Sequence, residues 1–76
     1  SDRRLQLIEA KSNSLAKATS DAALLYKSGM ANYLEVITAQ NNALQNDLEQ
    51  ISIKREKLNA VVDLYRALGG VNDIGQ

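Results

Sequence analysis

The side chains that most often carry chemistry are scarce in this chain of 76 residues, which has no histidine and no cysteine. That removes the commonest general base, the commonest thiol nucleophile and the commonest metal ligands together. Carboxylates remain, but acid–base catalysis needs two of them facing each other across a reacting group. The most closely spaced, Asp47 and Glu49, stand two residues apart, which on a helix turns them about 200° away from one another. The chain therefore reads as no enzyme, with no catalytic residue, no metal site and no cofactor. The run Lys54-Arg55-Glu56-Lys57 looks basic, yet Glu56 dilutes it and successive helical residues point in different directions. It reads as a solvated face. Nine basic and nine acidic residues cancel, so nothing argues for nucleic acid or an anionic lipid surface as partner.

If no residue set does chemistry, the elements themselves must be the product. The composition is 45% hydrophobic but only 4% aromatic, with no Phe, Trp or Pro. Such apolar mass, mostly Ala, Leu, Ile and Val, suits narrow helix seams, and the absence of proline permits long helices. A chain this short buries little core by itself and has no disulfide to supplement it. No window approaches the roughly 18 consecutive apolar residues of a membrane span, so this piece is not expected to cross a bilayer. Nor does a cationic and apolar leader open it, which a piece of a longer protein would lack in any compartment.

One interior stretch breaks the helical pattern. Gly29 is the single glycine before Gly69, and a glycine past an apolar run can end a helix in the left-handed conformation. Lys27 sits in the turn before it, where a cation meets the negative helix end. Asn32 can cap a second helix, with Glu35 at the position that completes a capping box. These signals predict an all-α, antiparallel two-helix coiled-coil hairpin: a first helix over 1–28, a tip turn at 29–31, a second helix over 32–69 and a loose tail over 70–76.

Helix registers set the expected seams. The first helix, capped by Ser1 or Asp2, reads Leu5, Ile8, Ser12, Leu15, Thr19, Ala22, Tyr26, in alternating steps of three and four. The second reads more cleanly: Leu34, Ile37, Asn41, Leu44, Leu48, Ile51, Arg55, Leu58, Val62, Tyr65. This longer register is expected to form the seam, with Asn41 and Arg55 as polar interruptions that fix register. Val36, Ala39, Ala43, Ile53, Val61, Leu64 and Leu68 form a second line beside it. The second helix should overhang the first by several turns and leave Val61, Val62, Leu64, Tyr65 and Leu68 bare. Association into a larger helical bundle or homo-oligomer, or excision from a larger protein, is therefore expected.

The stretch Leu25-Tyr-Lys-Ser-Gly-Met-Ala-Asn-Tyr-Leu-Glu-Val-Ile-Thr-Ala-Gln40, followed by Leu64-Tyr-Arg-Ala-Leu-Gly-Gly70, resembles the C-terminal repeat of the TolC-type outer-membrane efflux factors. That family shows a tyrosine, two residues, glycine, a spacer, an "LEVLDAQ"-like run and a closing "LYKALGG"-like end. The resemblance implies one hairpin of a periplasmic α-barrel, the periplasmic portion of a Gram-negative outer-membrane protein. Other protomers of a trimer would be its neighbours, and an inner-membrane transporter an indirect partner in multidrug efflux. It places Lys27, Ser28, Gly29, Met30, Ala31 and Asn32 at the tip that docks on the hairpin of a periplasmic adaptor (membrane fusion) protein. It places Tyr26, Glu35 and Thr38 at the pore entrance. Two positions depart from the family pattern: Thr38, which can be acidic there, and Ala31, which can be arginine. The competing expectation is a free-standing coiled-coil module that self-associates without any channel.

Overall fold

The structure, a computed structural model, describes residues 2–70. Two helices account for nearly all of it: α1, Arg3–Lys27, and α2, Tyr33–Ala67. Asp2 starts α1 by accepting hydrogen bonds from the amides of Arg4 (2.8 Å) and Leu5 (3.3 Å). Partial burial opposes that carboxylate's charge, but the Leu5 and Arg4 amides, with the Arg4 and Lys57 charges, outweigh it. The Asp2 pKa is held below its usual value. Ser1, the other expected cap, lies outside the described residues, as does the expected tail beyond Gly70.

The helices run antiparallel, as their cross-links show in order from the open end. Arg4 meets Glu56 at 2.9 Å, Asn46 Nδ2 donates to the Ile8 carbonyl at 3.3 Å, and Ser12 donates to Asp47 at 3.4 Å. Nearer the turn, the Thr19 hydroxyl lies 3.3 Å from the Ala39 carbonyl and shares its single proton between that oxygen and the nearer Leu15 carbonyl of its own helix, at 2.8 Å. The result is a rod of 65 × 22 × 12 Å with a radius of gyration of 19.4 Å. A compact chain of this length would have about 11 Å. A rod this thin has two sides and two edges but almost no interior.

On α1 the inward face is the expected one: Ile8 is buried, and Leu5, Ser12, Leu15, Thr19 and Ala22 are half-buried. Tyr26, the expected end of that line, stays exposed. On α2 the expected seam is overturned except at Ile37, which is half-buried. Leu34 is 69% exposed, Leu44 56% and Leu58 62%. The face against α1 is instead Val36, Ala39, Ala43, Asn46, Gln50 and Ile53, the second line of the sequence with two polar residues filling its gap. Two physical causes converge. Half of the inward residues of α1, Ser12, Thr19 and Ala22, are small or hydroxylated, and the backbones approach closely there only if α2 presents small residues such as Ala39 and Ala43. At that separation Thr19 and Asn46 reach backbone carbonyls across the gap. The short link 28–32, with Asn32 fixed as cap, also sets the rotational phase at which α2 starts, and that phase points Val36 inward.

Candidate functional site

The apex is built from backbone chemistry. Ser28 ends α1, and Gly29 follows with φ of 79°. The Gly29 amide donates to Tyr26 O (3.0 Å) and the Met30 amide to Leu25 O (2.8 Å). This is the Schellman pair of bonds, which satisfies the last carbonyls of α1 within the turn. Ser28 Oγ adds a bond to Leu25 O at 2.9 Å. On the far side Asn32 Oδ1 accepts from the Glu35 amide (3.0 Å) and Glu35 Oε2 from the Asn32 amide (3.1 Å), a complete capping box. No Cβ clash would arise at Gly29, so glycine is needed there for its φ and not for space.

Of the six residues expected at the tip, Lys27, Ser28, Gly29 and Met30 project at the apex, with Met30 77% exposed. Ala31 is half-buried, and Asn32 is exposed but committed to its cap. Tyr26 and Tyr33 face each other across the turn, with ring centroids 5.4 Å apart and planes tilted by 58°. They close the end of the hairpin beneath the apex. The outcome is a small, preorganised turn carrying one soft, adaptable methionine beside a lysine.

The three residues expected at a pore entrance do not form one cluster. Glu35 and Thr38 lie three residues apart on α2 and line an open groove of about 480 Å³ with Asn32, Leu34, Asn42 and, from α1, Leu15 and Ala18. Tyr26 is outside that groove, turned to Tyr33. Glu35 has its carboxylate engaged by the cap. On the same flank, Glu35, Asn42, Glu49, Glu56 and Asp63 recur every seventh residue, all exposed. A polar strip therefore runs the length of α2.

The bare register of α2 is the largest unsatisfied feature. Leu34, Leu44, Leu48, Ile51 and Leu58 are all exposed, and the line continues into the overhang through Val62 and Tyr65. By heptad arithmetic this line and the inward line lie about 150° apart round the helix. α2 thus carries two interaction edges, only one of which the hairpin uses. The inward role of Asn46 and Gln50 is what reading the sequence missed. The signal was the three-four phase of Val36, Ala39, Ala43 and Ile53, which predicts an inward residue at 46 and 50 whatever its polarity.

At the open end Gly69 takes φ of 83° and brings Gly70 against the Tyr65 ring, with the Tyr65 hydroxyl donating to Gly70 O at 3.3 Å. Any side chain at 70 would overlap that ring. Among the described residues no group of three or more His, Cys, Asp or Glu is placed to hold a metal. No described helix is long and apolar enough to cross a membrane.

Compared with known proteins, the chain is 35% identical over 74 residues to outer membrane protein OprJ of Pseudomonas aeruginosa. The match covers 97% of this chain and 15% of the length of that protein. No family model matches the chain, and no solved structure matches it significantly.

Proposed function

We propose that this hairpin is a stave of the periplasmic tube of a TolC-type outer-membrane efflux duct, and that its apex docks on the hairpin tip of a periplasmic adaptor protein. The observation that carries the reading is the double edge of α2. A self-sufficient two-helix hairpin needs one seam, whereas a stave in a curved wall needs a neighbour on each side. The apex motif and the fragment-length similarity to an outer membrane protein support the same reading.

In this role the work is divided by chemistry. The seams hold neighbouring staves of a trimer together, the polar strip of α2 faces water, and the apex supplies recognition. An apex of six residues gives modest affinity per hairpin, so docking depends on three-fold multivalency. The inner-membrane transporter is reached through the adaptor. Glu35, repeated round a three-fold axis, forms an acidic ring at the entrance that attracts cations and whose self-repulsion opposes closure.

The test uses the full-length trimeric parent protein. Gly29→Val forces a β-branched residue into the left-handed region, so it should weaken adaptor binding about ten-fold or more while helicity by circular dichroism changes little. Equal adaptor binding by the two forms would count against docking at the apex.

A further inference from the structure

We infer that the bare register of α2 is a self-recognition seam along which two copies of this chain pair antiparallel, with Leu48 of one across from Ile51 of the other. Only another helix following the same 3.5-residue repeat can cover a line that alternates steps of three and four from Leu34 to Tyr65. α1 lies against the nearly opposite face and does not obstruct it. Charge then decides direction and register. In a parallel, in-register pair Arg55 would meet Arg55 within the seam, a like-charge contact in a partly desolvated layer. In the antiparallel arrangement Arg55 lies across from Leu44 and Asn41 across from Leu58, so each polar interruption meets an aliphatic side chain.

The flanking charges select one register among the antiparallel ones. With Leu48 across from Ile51, Asp47 of each copy comes beside Lys54 of the other, giving two symmetric ion pairs. Sliding one helix by a heptad in one direction brings Asp47 beside Asp47, and sliding it the other way brings Lys54 beside Lys54. Both residues are exposed in the single chain, and Asp47 accepts a long 3.4 Å contact from Ser12. The resulting order, α1, α2, α2, α1, is a four-helix layer in which each overhang lies along the other copy's α2. This inference does not rest on the duct reading. Within a duct the same edge is covered by a neighbouring stave, and failure of one claim leaves the other standing.

The experiment is sedimentation equilibrium on the 76-residue chain, with circular dichroism as a folding check. The wild type is expected to dimerise. Lys54→Asp and Asp47→Lys should each weaken the dimer about ten-fold, since two attractive pairs become two repulsive ones, and the double reversal D47K/K54D should recover it. A chain monomeric at every concentration, or a dimer indifferent to the single reversals, overturns the inference. Geometry gives an independent reading on otherwise native protein. A spin label at Asn59→Cys should report a separation of about 30 Å between copies, from 1.5 Å of rise per residue about a centre between 49 and 50. A separation of about 10 Å would mean a parallel pair and equally overturn it.

Discussion

At the scale of single residues, Asn46 and Gly29 illustrate two ways in which a side chain becomes indispensable or dispensable. Asn46 is 3% exposed; its Nδ2 donates to Ile8 O, while its Oδ1 has no hydrogen-bond partner among the described residues. A buried acceptor left unmatched costs more than one cross-helix bond contributes. Asn46→Leu is therefore expected to raise stability by about 1 kcal/mol, a shift of about 4–8 °C in thermal midpoint. The gain comes with a loss of specificity, because the polar contact that penalises sliding of α2 along α1 disappears. A thermal melt of the variant checks the sign, and a lowered midpoint would mean that the Ile8 contact outweighs the orphaned oxygen. Gly29 was legible in the sequence because its chemistry is local: a helix end, a left-handed φ and a cap three residues on. Asn46 was not, since a polar residue reads as solvent-facing until the partner helix is in place.

At the scale of the helix, the same contrast decides which line of α2 meets α1. Two three-four lines run along that helix, and each satisfies the amphipathic pattern, so periodicity alone could not rank them. Apolar mass favoured the leucine line. Close approach favoured the alanine line, and the short capped turn settled the phase. Adjacent residues now make opposite predictions. Ala43→Leu places a bulky side chain between closely packed backbones and should cost about 1–3 kcal/mol. Leu44→Ala removes an exposed side chain and should change the stability of the single hairpin by about 0.5 kcal/mol or less. Chemical denaturation in dilute solution measures both, and a larger loss from Leu44→Ala than from Ala43→Leu would reverse the assignment of faces. The helices themselves, their antiparallel order and the capping box at Asn32 and Glu35 followed from spacing and caps. The docking role of the tip and the entrance role of Tyr26, Glu35 and Thr38 followed only from a resemblance, because nothing in the periodicity of those residues marks a gate.

For the whole molecule, the governing fact is that α2 is longer than the helix beside it. α1 begins at Arg3, and the last cross-link is Arg4 to Glu56. Residues 57–67 then extend about 16 Å with no α1 alongside. Val61 and Leu64 there, and Leu68 just beyond, are exposed, and an unsupported helical end has little besides its own hydrogen bonds to resist fraying. In dilute solution amide exchange across 57–67 should therefore be at least about ten-fold faster than across 36–53, where Val36, Asn46 and Ile53 are buried against α1. Raising the concentration should slow exchange selectively in the overhang, because antiparallel pairing lays the stretch 32–42 of a second copy along it. The inward stretch should be nearly indifferent, its protection already supplied within one chain. Equal protection along all of α2 at every concentration would mean that the hairpin holds its own overhang. The bare edge would then need no neighbour, neither a second copy nor a stave of a larger wall.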